Sequence, residues 1–211
     1  MSTMSLCTCK CAVCGAESEQ DVLTSANAFG SPDLDLRPSE MARSTMSFWI
    51  GECPHCGYIA SSIEAETKIS KDFLQSVEYR SCSGIDFKSP LATKFYKSYL
   101  ISLSLENHED AFYDSLHAAW SCDDVGDFTN GIHCRKLALA ELDKLLAQNG
   151  NDTMRVQKAD LLRRAGLFDA VIAQYSDIHF ESDDLNKIIA FQIERAKQKD
   201  ICCYTVADVL E

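Results

Sequence analysis

Four prolines and nine glycines among 211 residues leave little material for long linkers, which argues against a loosely connected or disordered chain. Basic side chains are also scarce. Twenty lysines and arginines stand against 32 aspartates and glutamates, a formal net charge of −12. A general nucleic-acid binder needs clustered positive charge to neutralise phosphates, so that class is disfavoured. No apolar run approaches the length of a membrane span. The first residues, Met1-Ser-Thr-Met-Ser-Leu6, lack the basic segment and apolar stretch of an export signal. Also missing are a phosphate-binding loop, a dinucleotide glycine fingerprint and the zinc-protease helix motif. These absences predict a non-catalytic protein with no membrane association.

What the chain does have is cysteine, eleven in all. The odd count and the absence of an export signal point away from a disulfide framework and toward a reducing, cytoplasmic compartment. Four of the eleven form two matching turns, Cys11-Ala-Val-Cys14-Gly15 and Cys53-Pro-His-Cys56-Gly57. Two residues between thiols let one tight turn present both sulfurs to a single ion, and two such turns build a four-thiolate zinc site. The trailing glycine suits the φ > 0 position where the chain leaves the turn. Pro54 restricts the backbone inside the second turn. The expectation is one structural Zn2+ held by Cys11, Cys14, Cys53 and Cys56. Cys7 and Cys9 alternate with Cys11 along a strand-like run and are substitute ligands, or else simply half-buried strand residues.

Between the two turns lie 38 residues. Gly30-Ser31-Pro32 and Arg37-Pro38 mark turns there, and Thr45-Met-Ser-Phe-Trp-Ile50 has strand character. Asp33-Leu34-Asp35-Leu36-Arg37 alternates, which places two carboxylates and a guanidinium opposite two leucines. That pattern fits either a polar cluster near the metal or a partner, or a solvated edge with a local ion pair of little energetic weight.

The order Cys-x-x-Cys-Gly, then Asp33-Leu-Asp-Leu-Arg37, then Cys53-Pro-x-Cys-Gly-Tyr58, followed by helices, resembles the bacterial family called domain of unknown function 2225. The specific match spans roughly residues 9–60. Ala12 departs from the family pattern, where a proline usually follows the first cysteine. The resemblance implies ligand roles for Cys11, Cys14, Cys53 and Cys56 and a recurring Asp33–Arg37 segment. That family has no assigned activity, so no reaction is implied.

Residues 60–80 read as a helical bridge with Ser70 as an N-cap, closed by Ser81-Cys-Ser-Gly84. From Pro90 onward the 3.6-residue period gives six helices with short connections, hence antiparallel neighbours. Ala159, Leu162, Gly166, Phe168, Val171, Tyr175 and Ile178 fall at the small, glycine and large positions of a tetratricopeptide repeat. Residues 110–146 look like a looser copy, and 184–199 like a closing helix. The predicted fold is therefore mainly α. A small zinc-ribbon-like β module (1–60) leads through a helical bridge (61–89) into a tetratricopeptide-like antiparallel helical array (90–211), and that array is expected to fold without the module.

Other residues tempt without converging. His55 lies too close to its own cysteines to add a ligand. His133 and Cys134 are adjacent on a helix and point roughly 100° apart, so neither can orient the other. His117 lies beside the Ala118-Ala119-Trp120 stripe, with no catalytic role expected. Cys202-Cys203 either binds metal or oxidises, or forms a buried helix end. Arg163-Arg164 would be a small anion spot, or would pair with carboxylates such as Asp160. The function expected is a zinc-stabilised interaction or scaffold module for a basic protein or peptide partner. The alternatives are a nucleic-acid-associated zinc ribbon, or a zinc-dependent hydrolase if one cysteine is not a ligand. The module itself holds three basic residues against seven acidic ones within residues 1–60, which counts against the first alternative.

Overall fold

The N-terminal alternation folds as a hairpin. In the computed structural model, which describes residues 2–211, strand β1 (Thr3–Lys10) pairs antiparallel with β2 (Glu17–Ser25). Met4 faces Leu23, Cys7 faces Gln20 and Lys10 faces Glu17 across the pair. Directly paired residues share a face of the sheet. Cys9 is consequently buried on the inner face, while Met4, Leu6, Thr8 and Lys10 are exposed on the outer one. The first cysteine turn is the connection of this hairpin.

The next stretch departs from the expected strand. Thr45–Ile50 contributes no strand; Arg43–Phe48 winds into a 3-10 helix instead. Local hydrogen bonds explain the outcome: Thr45 Oγ1 donates to the Ala42 carbonyl at 2.7 Å and receives Trp49 Nε1–H at 3.0 Å. A threonine hydroxyl that finds a backbone carbonyl three residues back offsets the β propensity of this run. Only β3 (Gly51–Glu52) and β4 (Ile59–Ala60) pair here, antiparallel, on either side of the second cysteine turn. The bridge is also less helical than expected, because residues 61–70 adopt no helix. Helix α1 (Lys71–Gln75) begins after Ser70, whose Oγ accepts the Phe73 N–H at 3.1 Å. Helix α2 (Val77–Arg80) follows, capped in the same way by Ser76 on Tyr79 N at 3.2 Å.

The six long helices appear where the apolar period places them: α3 (Pro90–Ser104), α4 (His108–Asp123), α5 (Phe128–Asn149), α6 (Asp152–Arg164), α7 (Phe168–Tyr175) and α8 (Asp183–Lys197). A short α9 (Ala207–Leu210) comes last. Two of the connections are the same object. Gly126 N donates to the Asp123 carbonyl and Asp127 N to that of Cys122, just as Gly166 N donates to Arg163 and Leu167 N to Leu162. This is the paired 6→1 and 5→2 bonding of a Schellman turn, and both glycines hold positive φ, 67° and 75°. Each turn is followed by a phenylalanine that opens the next helix, Phe128 or Phe168. Each helix packs on its sequence neighbour, and α8 packs on both α6 and α7. No helix among the described residues is long and apolar enough to cross a membrane.

One apolar cluster runs from Cys11, Cys53 and Tyr58 through Tyr79, Phe95 and Leu116 to Leu142, Val171 and Ile189. The Asp33–Arg37 segment is pinned within this body and is not a solvated edge. Asp33, Leu34, Asp35 and Arg37 are buried, with Asp35 at 0% exposure, and only Leu36 faces outward. Leu36 has φ of 68°, so the segment is a turn, which breaks the alternation a strand would have kept. Its charges meet the helices. Asp35 Oδ2 accepts Arg164 Nη1 at 2.7 Å and Trp120 Nε1 at 2.8 Å, and the Asp35 carbonyl accepts Gln157 Nε2 at 2.8 Å. Arg164 continues to Asp123 at 2.6 Å, which also pairs with Arg135, and Arg37 reaches Asp124 at 2.7 Å. The chain's end folds over the same place: Leu34 N donates to the Tyr204 carbonyl and Val206 N to that of Pro32, each at 2.9 Å.

Candidate metal centre

Both cysteine turns adopt one geometry. Gly15 N donates to the Cys11 carbonyl at 2.8 Å, and Gly57 N to the Cys53 carbonyl at 2.9 Å. Cys11 N donates to the Ala16 carbonyl at 2.9 Å, and Cys53 N to the Tyr58 carbonyl at 2.8 Å. The glycines sit at φ of 76° and 74°, a conformation that a Cβ would strain by about 1–2 kcal/mol. The repeated Cys-x-x-Cys-Gly pattern thus encodes the same loop twice.

The two loops face each other and bring the four thiols together. Cys11 Sγ lies 3.7 Å from Cys56 Sγ, Cys14 Sγ lies 3.6 Å from Cys53 Sγ, and all four ligand atoms are within 4.8 Å of one another. Four thiolates about 2.3 Å from a tetrahedral ion stand about 3.8 Å apart, so the donor set has the size of a metal-sulfur tetrahedron. It can hold one metal ion. Cys11 and Cys53, the first cysteine of each turn, are buried, and Cys14 and Cys56 are half-buried.

The electrostatics of the cluster suit a cation. Burial pushes the Cys53 and Cys56 thiols up, and their neighbouring sulfurs push further in the same direction. Cys14 is pulled down to about 7 by the backbone N–H of Ala16. Four adjacent thiolates repel one another, and a divalent ion at their centre removes that repulsion.

Surrounding elements hold the two turns in register. Tyr79 Oη on α2 donates to the Gly57 carbonyl at 2.6 Å, and Ala12 N donates to the Ile63 carbonyl at 2.8 Å. The helical bridge therefore props the second turn, and the 61–70 segment props the first.

The remaining candidates are distributed elsewhere. Cys7 and Cys9 lie on β1 outside the sulfur cluster, where burial and Glu64 raise the Cys9 thiol. His55 is exposed on the second turn and is not part of the cluster. Cys134 is buried on α5 while His133 is exposed. Cys202 and Cys203 do not form a buried helix end. They lie exposed in the non-helical run before α9, with Cys203 Sγ donating to Asp33 Oδ2 at 3.2 Å.

Arg163 and Arg164 do pair with carboxylates, as one of the two expectations had it, but in the interior. Arg163 meets Asp160 at 2.7 Å and Gln192 at 2.5 Å, and Arg164 meets Asp35 and Asp123. Neither offers an open anion spot. The partners Asp123, Arg135 and Gln157 were not evident from the sequence. The available signal was the adjacent arginine pair closing α6, charged residues at the end of an apolar stripe.

No protein-family model matches the chain, and neither a curated protein nor a solved structure matches it.

Proposed function

We propose that the chain is a zinc-stabilised protein-interaction module with no catalysis of its own, in which a zinc-ribbon-like knuckle pair is joined to tetratricopeptide-like helices. The observation that carries the metal half is the sulfur tetrahedron. Two turns of like geometry present four thiols within 4.8 Å of one another, two of the pairs at 3.6 and 3.7 Å, a donor set that suits Zn2+ in structural sites. Four thiolates leave no open coordination position, which argues against the hydrolase alternative. Membership in the domain of unknown function 2225 family is proposed on the same cysteines together with the Asp33–Arg37 segment. The repeated Gly-x-Phe turns support a helix-turn-helix repeat.

The interaction half rests on charge. Outward-facing Glu17, Glu19 and Asp21 line β2 opposite Lys10, Thr8 and Leu6, and Leu6 is 61% exposed. Three carboxylates beside exposed Met4 and Leu6 suit a partner segment that carries basic residues and one apolar anchor. The face of α6 that carries Gln157, Arg163 and Arg164 does not serve as a peptide groove, because the chain's own 33–37 and 200–206 segments cover it. The test is site-specific photo-crosslinking from position 8, directly across the hairpin from Glu19, in the native host, with and without the Glu17→Lys, Glu19→Lys, Asp21→Lys triple change. Crosslinks to basic segments that vanish in the triple variant support the proposal. Crosslinks indifferent to charge reversal, or salt-sensitive micromolar binding to duplex DNA, count against it.

A further inference from the structure

Away from the cysteines, a cavity of about 850 Å³ opens between the 49–68 segment and the packed pair α3 and α4. That volume is in the range of small-molecule sites. One wall is aromatic. His117 is the hub of a cluster with Trp49 at 5.2 Å, Phe95 at 5.0 Å and Tyr113 at 6.1 Å between ring centroids. The opposite chemistry is anionic. Asp114 lines the cavity, its Oδ2 accepting Ser102 Oγ at 2.9 Å, with Asp110 one helical turn away on the same wall. Glu66 and Lys68 reach the cavity from the 61–68 segment, so three carboxylates meet a single lysine.

We infer that this cavity binds a small organic cation, an ammonium or guanidinium group carried on an apolar or aromatic body. Aromatic faces attract a cation and also cover its hydrocarbon part, and a carboxylate braced by a hydroxyl supplies the charge-assisted hydrogen bond. The inference does not depend on the metal reading, so either can fail alone.

Protonation sharpens it. Burial, opposed by the Ser98 and Ser102 hydroxyls, holds Asp114 at about 7, with Asp110 adding to the rise. His117 is pushed down to about 4 by burial and by Arg37, so it stays neutral and does not compete with a cation. The other ionisable groups on the lining are Asp110 and Tyr113 from α4, and Tyr58, Glu66 and Lys68 from the 49–68 segment. From α3 come only hydroxyls and apolar side chains. A bound cation favours the ionised carboxylate and so expels its proton near neutral pH.

The test uses the zinc-saturated full chain and calorimetric titration with tryptamine, its neutral analogue tryptophol and its anionic analogue indole-3-propionate, with agmatine as a guanidinium probe. Expected at pH 8 is saturable tryptamine binding at least about tenfold tighter than either analogue. Between pH 8 and pH 6 the tryptamine affinity drops about tenfold, as Asp114 takes up its proton. Titrations at pH 7 in buffers of different ionisation enthalpy report proton release on binding. Asp114→Asn weakens tryptamine about tenfold and flattens the pH profile. Wild-type pH dependence and proton release decide the matter even if that variant folds poorly. Equal binding of the three indoles, a flat wild-type profile, or no binding of tryptamine and agmatine at millimolar concentration overturns the inference.

Discussion

Asp35 is the residue through which the segment between the cysteine turns grips the helices, and its removal has a calculable cost. Its carboxylate is fully buried and accepts both Arg164 and Trp120 through Oδ2. Burial alone would raise its pKa, but Arg164, Arg135 and the Trp120 N–H together outweigh that and hold it below the ordinary carboxylate value. Asp35→Ala strands the indole N–H and leaves Arg164 with Asp123 as its remaining direct ion pair, and with Asp160 nearby. Removing one member of a buried ion pair costs about 3–5 kcal/mol, and the surviving Asp123 contact places this case near the lower end. Asp35→Asn keeps one acceptor and costs about 2 kcal/mol. Urea unfolding of the zinc-saturated chain, followed by tryptophan fluorescence and circular dichroism, measures both. The pH profile has a definite sign. A carboxylate depressed in the folded state stabilises above its unfolded pKa of about 4, and that advantage is lost as pH falls through the folded value. The difference between wild type and Asp35→Asn therefore shrinks in acid. A double-mutant cycle with Arg164→Met should give a coupling of at least about 1 kcal/mol. An Asp35→Ala loss below about 0.5 kcal/mol, or strict additivity in the cycle, would refute the clamp.

Asp114 carries the opposite linkage. Its pKa is raised to about 7, so the folded chain binds the proton more tightly than the unfolded one and loses stability as pH rises from about 4 to 7. Asp114→Asn is expected to raise the melting temperature by several degrees at pH 8 and to have little effect at pH 4. No gain at pH 8 would show the carboxylate to be well solvated. The isolated 90–211 segment is expected to be helical by circular dichroism yet to melt about 10 °C below the full chain, because Trp120, Gln157 and Arg164 lose their Asp35 partner. Equal melting temperatures would mean that the 33–37 contacts add nothing.

The periodic part of the fold was readable because each long helix buries one stripe and is punctuated by its own turn signal: Pro90 at a helix start, Gly126 and Gly166 in Schellman turns, Gly150 after α5. The cysteine site was readable because ligand spacing is local within each turn. What the pattern could not convey depended on distant partners. Thr45–Trp49 has strand-forming residues, but hydroxyl bonds to Ala42 and Trp49 wound it into a 3-10 helix. Asp33–Arg37 alternates like a surface edge, and it is Arg43 on the 3-10 helix, together with the arginines, tryptophan and glutamine of α4, α5 and α6, that lets its carboxylates enter the interior. Residues 61–70 carry no sequence mark of their irregular path, which supports the first cysteine turn through the Ile63 carbonyl. Local sequence encodes local geometry, whereas the burial of Asp35 is decided by Trp120 and Arg164, 85 and 129 positions away.

The central claim is a single structural zinc held by four thiolates. The most direct measurement is metal content by mass spectrometry, paired with zinc-edge X-ray absorption, on wild type and Cys53→Ser purified in parallel. The account predicts one zinc per wild-type chain with four sulfur neighbours at about 2.3 Å. In Cys53→Ser it predicts loss of the metal and of the N-terminal fold, with most of the helical signal retained. Full zinc retention in Cys53→Ser, or a wild-type spectrum with nitrogen or oxygen in place of one sulfur, would contradict it.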